Sequence, residues 1–384
     1  MTGSSPRPRI LELTSSARIG GAEQNLVRFL GGRDRSRFEY AVAALEPAGP
    51  LLEAVRGLGV QAVGLPGPNP FSPRLRRQLE KLLERTSPDL VHAYGLRADV
   101  VARSLARVRG TSVYVTAIRS PDPWRRFYHV WLDRWTARGG RVTLYIANSE
   151  AGRESRIQRE KVPPDRVITI PNGVPLPPGP TAVEFKASPA AEALRERLSL
   201  PRGAGPLVVV VSNLRRMKGH TDLVAALVHV RERWPAARLL LAGRDESRGR
   251  VERAAVRLGL GPNVQFLGFV SDPLPLMRLS DVFCLPSHWE GCPTALIEAM
   301  SVGCTIVATR AGGIPELVRD GREALLVPPR DPARLSSALL EVLEDGALAS
   351  RLAAAAQQRA RRHFSLETMV RRLEDTYARL LGVS

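Results

Sequence analysis

Cysteine and long apolar runs are scarce in this chain of 384 residues, and each scarcity excludes a class of protein. Three cysteines without a C-x-x-C pair predict neither a disulfide framework nor a zinc site. No apolar run approaches the roughly 20 residues that a membrane-spanning helix needs. The first residues, "MTGSSPRPRILELTSS", lack the apolar core of a secretory signal, so we expect a cytoplasmic protein.

The charge of the chain is one-sided, with a formal net value of +18. The arginines are scattered among acids, and no block of basic residues resembles a nucleic-acid-binding arm. We therefore expect no nucleic-acid partner, and a nucleic-acid-binding module is an alternative that rests on charge alone. The charge is also uneven: residues 1–172 hold 28 basic and 16 acidic residues, a net +12, whereas residues 173–384 hold 28 and 22, a net +6.

Two series of strand-then-helix units follow one another along the chain. Short apolar runs such as "RILELTSS" and "DLVHAY" alternate with helical patterns, which predicts parallel sheets covered on both faces. The pattern restarts at "PLVVVVSNL", after the Pro- and Gly-rich stretch "PNGVPLPPGPTAVEFKASPA". We therefore predict an α/β fold with two doubly wound Rossmann-like domains facing a central cleft, where ligands bind beyond the carboxyl ends of the strands.

The predicted boundaries follow from where the pattern stops and restarts. A first domain covers 1–172, a linker 173–205, and a second domain 206–363. A terminal helix at 364–384 is expected to pack back on the first domain.

The stretch "SHWEGCPTALIEAM" places Glu290 and Glu298 on either side of a predicted helix start. Gly291 permits a tight turn, Pro293 suits the first helical turn, and Thr294 or one of its neighbours can cap the helix. The N–H groups of that turn form an anion site suited to a diphosphate. Eight mostly helical steps span on the order of 12 Å, so we predict that Glu298 binds the ribose and Glu290 the sugar of a nucleotide-sugar. The alternative is that Glu298 caps its own helix or faces solvent and Glu290 is a turn residue.

The longer stretch "PSHWEGCPTALIEAMSVGCTIVATRAGGIPELVRDGREALLVPPRDPARL" resembles the donor-binding half of the family-4 glycosyltransferases. Glu290 and Glu298 match their E-x7-E signature. Six further segments, among them "GGAEQNLVRFL", "VITIPNGV" and "VVVVSNLRRMKGH", are similar to the family and fall in its usual order. The resemblance implies the GT-B fold, with an acceptor-side first domain and a nucleotide-sugar-binding second domain.

The same resemblance implies an activity. The chain would be a retaining hexosyltransferase that moves a sugar from a UDP-, GDP- or ADP-sugar to a hydroxyl of a glycan or lipid-linked acceptor, in polysaccharide or glycolipid synthesis. No aspartate-rich metal site appears in the sequence, so we expect no metal and no cofactor, with basic groups in place of a divalent ion. A sugar-nucleotide epimerase of GT-B fold and a non-catalytic sugar-nucleotide binder are the alternatives.

Three residues are predicted to act in catalysis, namely Glu290, Lys218 and Arg119. Lys218 lies in a turn after a strand, where its ammonium suits a diphosphate. Arg119 lies where many relatives place a histidine, and it can bind an anionic acceptor or the charge developing on the leaving phosphate; a plain surface arginine is the alternative. The resemblance implies that the leaving phosphate takes the proton from the attacking hydroxyl on the same face of the sugar. The negative charge on that phosphate would be stabilised by Lys218, an arginine and the helix N-termini at 292–295 and 313–316.

The other predicted site residues bind substrate through backbone amides or polar side chains. Gly20 and Gly21 bring amides close to the donor phosphate or the acceptor. The arginine that the family has two residues after the strand is Asn213 here, which leaves Arg215 or Arg216 to supply that charge. The predicted substrate-binding set is Glu298, Gly20, Gly21, Asn213, Arg215, Arg216, Gly291, Cys292, Pro293, Thr294, Ala295 and Asn172.

The segment 124–141 concentrates aromatic residues beside arginines. Two interpretations are open: the stripe packs against the first domain's sheet, or it lies in a bilayer interface, as such faces do. The second would make the protein peripheral on the anionic inner face of the plasma membrane, and several members of the resembled family act on lipid-linked acceptors. The aromatic and basic residues concerned are Trp124, Phe127, Tyr128, Trp131, Trp135, Arg125, Arg126, Arg134 and Arg138.

Overall fold

The structure is a computed structural model that describes residues 7–67, 69–105, 111, 113–120, 126–138, 140–200 and 205–383. The chain divides into two compact units. The first unit is Met1–Gly173 together with Leu366–Ser384, and the second unit is Val174–Ser365. Among the described residues, no helix is both long enough and apolar enough to cross a membrane.

A parallel sheet forms the centre of the first unit, with seven strands in the described residues in the order β3-β2-β1-β4-β5-β6-β7. Its strands are β1 (Arg9–Thr14), β2 (Glu39–Ala44), β3 (Gln61–Gly64), β4 (Leu90–Tyr94), β5 (Val113–Ile118), β6 (Leu144–Ala147) and β7 (Val167–Thr169). Its helices are α1 (Gly21–Gly32), α2 (Pro50–Gly57), α3 (Pro73–Thr86), α4 (Leu96–Leu105), α5 (Phe127–Ala137) and α6 (Glu150–Glu160). Apolar residues dominate the central strands because helices cover both faces.

The second unit is built around another parallel sheet, whose six strands in the described residues run β10-β9-β8-β11-β12-β13. Its helices are α7 (Ala182–Lys186), α8 (Pro189–Arg197), α9 (His220–Arg233), α10 (Arg250–Arg257), α11 (Leu274–Leu279), α12 (Thr294–Ser301), α13 (Ile314–Leu317), α14 (Pro332–Glu344) and α15 (Gly346–His363). Its strands are β8 (Leu207–Val211), β9 (Arg238–Ala242), β10 (Val264–Gly268), β11 (Val282–Leu285), β12 (Ile306–Thr309) and β13 (Leu325–Val327). The predicted pair of doubly wound α/β domains is confirmed.

The last helix, α16 (Leu366–Leu381), belongs to the first unit. Its apolar side contributes Met369, Val370 and Tyr377 to the core that also contains Phe29 of α1. The Phe29 and Tyr377 rings meet edge to face with centroids 6.3 Å apart. The prediction that the terminal helix packs back on the first domain is confirmed.

The stretch 173–205, predicted as a linker, contains α7 and α8 and is not simply a linker. The Thr181 and Ser188 side chains cap these helices by accepting backbone hydrogen bonds. Phe185 and Leu194 are buried against Leu207 of β8. A Pro-rich stretch does not exclude helices, because Pro is also favoured at a helix start, as Pro189 is in α8.

Each sheet reverses its strand order at one point among the described strands, between β1 and β4 in the first unit and between β8 and β11 in the second. In open parallel sheets the loops beyond the carboxyl ends of the strands at such a point form the ligand site. The loops after β8 and β11 carry Lys218 and Glu290. The fold therefore places both predicted catalytic residues of the second unit at its switch point.

Candidate functional site

The turn after β8 is locked to the loop after β11. Lys218 ends a single 3-10 turn, and Gly219 follows with φ +68°. A Cβ atom at Gly219 would lie 1.9 Å from the carbonyl oxygen of Pro286, so only glycine permits this approach. The backbone N–H of His288 donates to the carbonyl of Met217 at 2.7 Å. The two loops therefore hold their side chains in a fixed relation.

Glu290 lies in the second of these loops and is only 7% exposed. Its Oε1 accepts hydrogen bonds from Lys218 Nζ at 2.5 Å and from Ser287 Oγ at 2.8 Å. Its backbone carbonyl accepts from the N–H of Gly313 at 3.2 Å, and a Cβ at Gly312 would lie 2.1 Å from that oxygen. The structure thus brings two predicted catalytic side chains, Glu290 and Lys218, into direct contact.

Helix α12 begins one residue later than predicted. Pro293 is its N-cap, without a side-chain cap, and is not in the first turn; Thr294 is the first helical residue and not the cap. Gly291 and Cys292 are buried beneath this end, whereas Thr294 and Ala295 are half-buried. The first N–H groups of a helix have no partner within it, so this end presents donors to an anion.

Glu298 lies in the second turn of α12 and is 9% exposed. The interpretation that it simply faces solvent is therefore wrong. The step from Glu290 to Glu298 is helical only from Thr294 onward, so the 12 Å expected for a mostly helical step does not describe this segment. At the predicted second helix start, α13 is only four residues long, too short to add much of a dipole.

Glu246 is a carboxylate that was not predicted from the sequence. It accepts hydrogen bonds from predicted residues in the loop after β8. It follows β9, the neighbour of β8, and accepts from Asn213 Nδ2 at 2.6 Å and from Arg215 Nε and Nη2 at 2.6 and 3.1 Å. Hydrogen bonding from Arg215 is the main cause that lowers the pKa of Glu246. Arg215 is therefore turned toward Glu246. Arg216 lies beside it and lines a cavity of about 180 Å³ together with His220.

His220, the first residue of α9, is buried under this cavity. Its Nε2 lies 3.1 Å from Ser212 Oγ. Burial, with the nearby Lys218 charge, lowers the pKa of His220 to about 4. The imidazole is therefore neutral near physiological pH and adds no positive charge to the site.

In the first unit, the loop after β1 opens helix α1 at the predicted glycines. Gly20 is the N-cap, and its N–H donates to Glu23 Oε2 at 3.1 Å. A Cβ at Gly21 would meet nothing within 4 Å. Both glycines are exposed, so this helix start is open to a ligand.

Arg119 reaches from the end of β5 toward that same helix start. Its guanidinium donates to the carbonyl of Ala22 at 3.5 Å and to Asn172 Oδ1 at 3.4 Å. It also lies over the Tyr94 ring, 5.1 Å from the centroid. Asn25 Nδ2 donates to the same Asn172 oxygen at 3.0 Å. Arg119 is therefore a held, half-buried side chain, and the alternative of a plain surface arginine is not supported.

His92 of β4 is a core residue of the first unit. It is 2% exposed, and its Nδ1 lies 2.7 Å from Tyr377 Oη and 3.4 Å from Glu12 Oε2. Tyr377 also donates to Glu12 Oε1 at 3.2 Å. This buried cluster joins β1, β4 and α16 and belongs to the core of the first unit.

The aromatic stripe is exposed. Of the segment 124–141, Trp124 and Arg125 lie outside the described residues. The aromatic side chains of α5 face away from the sheet, so the interpretation that they are core is wrong. The exposed aromatic residues are Phe127, Tyr128, Trp131 and Trp135.

Cys284, Cys292 and Cys304 of the second unit are buried, and none of them forms a disulfide among the described residues. Among the described residues, no group of three or more His, Cys, Asp or Glu side chains is placed to hold a metal ion.

Two family models match the chain, one in each half. "Glycosyltransferase Family 4" matches residues 19–176, and "Glycosyl transferases group 1" matches residues 195–359. The two ranges correspond to the two sheets.

Curated relatives carry glycosyltransferase names. The GDP-mannose-dependent alpha-(1-6)-phosphatidylinositol monomannoside mannosyltransferase of Mycobacterium tuberculosis strain H37Rv is 33% identical over 210 residues, which are 52% of this chain and 54% of that protein. The putative glycosyltransferase EpsF of Bacillus subtilis strain 168 is 28% identical over 78% of each chain. The match spans only about half the length of the first of these relatives.

Solved structures agree over nearly the full length. Anabaena HepE, in complex with UDP-glucose, superposes with a TM-score of 0.83 at 25% identity, over 97% of this chain and 99% of that one. The sucrose-phosphate synthase of Thermosynechococcus elongatus superposes at 0.81 with 21% identity, over 98% and 100%, and this likeness concerns the fold alone. With both halves matched by family models and both sheets reproduced in these neighbours, the chain belongs to the family-4 glycosyltransferases and has their GT-B fold.

Proposed function

We propose that this protein transfers a sugar from a nucleoside-diphosphate sugar to a hydroxyl group of a glycan or lipid-linked acceptor. The observation that carries the proposal is the contact of Lys218, Glu290 and Ser287 at the switch point of the second unit, beside the open end of α12. One ammonium and several backbone N–H groups there suit a diphosphate. The named relatives, one GDP-mannose-dependent and one bound to UDP-glucose, support a sugar-nucleotide donor and do not favour an epimerase.

The chemistry proposed for this site is charge stabilisation. As the bond between sugar and phosphate breaks, negative charge grows on the leaving diphosphate, and fixed cations and N–H groups lower the barrier. Lys218 and the end of α12 would supply them, in place of a divalent ion. Glu298 would accept hydrogen bonds from the ribose, and Glu290 from the transferred sugar. No cofactor is required for this reaction.

We further propose that transfer retains the anomeric configuration, with the leaving phosphate accepting the proton of the attacking hydroxyl. In the first unit, Gly20, Gly21 and Arg119 would act on the acceptor or on the leaving phosphate. Arg119 is suited to this role because Asn172 and Tyr94 already fix its guanidinium. The place of action proposed is the inner face of the plasma membrane.

A thermal-shift series tests the donor. UDP-, GDP- and ADP-sugars are compared, and the matching donor should raise the unfolding temperature by several degrees because binding stabilises the folded state. Lys218→Ala should remove most of that shift, whereas Lys81→Ala, on the exposed surface of α3, should leave it intact. A protein that no sugar nucleotide stabilises would contradict the proposal.

Product analysis tests the reaction and its stereochemistry. With the matching donor, release of nucleoside diphosphate should depend on an added acceptor, and the product's anomeric proton coupling should equal that of the donor. Conversion of the donor without any acceptor would indicate an epimerase instead.

A further inference from the structure

Helix α5 of the first unit turns its aromatic side to solvent. At 3.6 residues per turn, Phe127, Tyr128, Trp131 and Trp135 fall within an arc of about 100°. Their exposed fractions are 84%, 46%, 59% and 48%. The Trp131 and Trp135 rings are stacked, with centroids 5.9 Å apart and planes 5° apart. These four side chains form the α5 aromatic face.

Buried ion pairs between side chains hold the opposite side of α5. The buried residues of this helix are Asp133 and Thr136. The Asp133 carboxylate pairs with Arg103 of α4 and with Arg156 of α6, and Arg103 Nη1 donates to Thr136 Oγ1 at 3.3 Å. Removing one partner of a buried ion pair is strongly destabilising. The helix therefore cannot rotate to bury its aromatic face without leaving these charges unpaired.

Exposed arginines border the aromatic face. Arg126 precedes α5, Arg134 lies within it and Arg138 follows it, and all three are exposed. The surrounding sequence is basic as well, since residues 1–172 carry a net charge of +12. An ordinary surface helix has its polar residues outward and its apolar residues inward; this one has aromatics and cations outward together. That combination is complementary to a surface with an apolar interior and anionic head groups.

We propose that the α5 aromatic face inserts into the interfacial region of an anionic lipid bilayer while the three arginines contact lipid phosphates. Aromatic rings with one polar edge are favoured at that depth. The choice of a membrane as partner rests on the proposed function, because a lipid-linked acceptor would be met at this surface. The binding itself requires no donor and is measured without one.

Vesicle co-sedimentation tests the proposal on the full chain. Vesicles of phosphatidylcholine with about one third phosphatidylglycerol should bind the protein at low salt, and raising the salt to physiological strength should weaken binding about tenfold. Pure phosphatidylcholine should bind at least about tenfold more weakly. Tryptophan emission should shift to the blue on binding, because Trp131 and Trp135 leave water. Absence of binding to anionic vesicles at low salt would overturn the proposal.

Matched variants locate the contact. Trp131→Ala/Trp135→Ala should weaken vesicle binding about tenfold or more and abolish most of the blue shift, whereas Phe71→Ala, 67% exposed in the same unit, should change neither. Trp131→Phe/Trp135→Phe should retain binding because the apolar area is kept. Equal loss in the Phe71 variant would overturn the assignment to α5.

The arginines are tested by charge reversal. Arg134→Glu/Arg138→Glu should abolish binding to anionic vesicles, while Arg74→Glu/Arg77→Glu, exposed on α3 of the same unit, should weaken it by at most about fivefold. Equal effects would mean that general charge, and not α5, drives binding, and would overturn the proposal.

Two further measurements separate the possible failures. A concentration-dependent dimer that the tryptophan variant abolishes, without vesicle binding, would show that a second copy covers the face and would overturn the proposal. The donor-induced thermal shift is recorded for every variant without vesicles. Failure of the donor shift with intact vesicle binding refutes only the proposed function, and the converse refutes only the membrane contact.

Discussion

Replacing Glu290 by glutamine should separate sugar transfer from nucleotide binding. The Glu290 carboxylate engages Lys218 Nζ at 2.5 Å and is itself held by Ser287. A bound diphosphate would compete for the same ammonium. Glu290→Gln removes the competing charge while keeping the shape of a side chain that is only 7% exposed.

The expected change in nucleoside-diphosphate affinity follows from the contact between Glu290 and Lys218. A hydrogen bond between charged groups contributes about 1.5–3 kcal/mol, and the Lys218 side chain is 20% exposed, so solvent screening favours the lower end. Because about 1.4 kcal/mol corresponds to tenfold in affinity, the nucleoside-diphosphate Kd of Glu290→Gln should stay unchanged or fall by up to about tenfold. Transfer should fall at least about a hundredfold, as when one transition-state contact is lost.

Calorimetry with the matching nucleoside diphosphate and single-turnover transfer measure the two quantities. Ser287→Ala is the matched control: it removes a hydrogen bond to the same carboxylate oxygen but keeps the charge, so both effects should be smaller. The reasoning is refuted if Glu290→Gln raises the Kd more than about tenfold while the unfolding temperature is unchanged. Glu290 would then bind the nucleotide, not the sugar.

Three further outcomes are expected in the second unit. Glu298→Gln should weaken nucleoside-diphosphate binding about tenfold by calorimetry, because a charged hydrogen bond to the ribose is weakened; an unchanged Kd would remove the ribose assignment. Gly219→Ala should lower the urea-derived free energy of unfolding more than Gly321→Ala, since both have positive φ but only the first meets a backbone oxygen, that of Pro286 at 1.9 Å; left-handed strain alone costs about 1–2 kcal/mol. His220 has a folded-state pKa of about 4 against its usual 6.5. Its contribution to the free energy of unfolding is therefore full above pH 6.5 and is lost as the pH falls toward 4. His220→Gln should flatten the pH dependence of urea unfolding in that window, and an equally steep profile would contradict the assignment.

The candidate donor site can be read from the sequence only as far as its signals are local. A glycine turn after an apolar strand and a proline before a helix are readable from neighbours in the chain. The contact of Lys218 with Glu290 is not, because the two residues are 72 positions apart. It depends on β8 and β11 being adjacent in the sheet, a matter of strand order.

Glu246 is a second example of a contact that depends on strand order and cannot be read from the local sequence. The sequence predicts that Arg215 or Arg216 supplies the positive charge missing at Asn213. It does not show which acid faces Asn213 and Arg215, because Glu246 follows a different strand, β9. The available signal was an acid four residues after the end of β9, since neighbouring parallel strands bring their carboxyl ends together.

For α5, the helical spacing of aromatics predicted a stripe but not the direction in which it faces. Direction is decided by Asp133 and Thr136, which lie on the opposite side of the helix. Arg103 and Arg156, which pair with Asp133, come from two other helices. Nothing local in the sequence shows that these charges meet and are buried.

The buried ion pairs of Asp133 determine which side of α5 faces solvent. Buried ion pairs add little net stability but can fix one orientation of an element, and here they fix the one in which the aromatics are outside. Side chains such as Phe127, 84% exposed, contribute little to folding by burial, which scales with the area removed from water. A contiguous exposed apolar face is also a liability for association. The fold therefore gains little from these aromatics within the chain, which is consistent with the membrane contact proposed above.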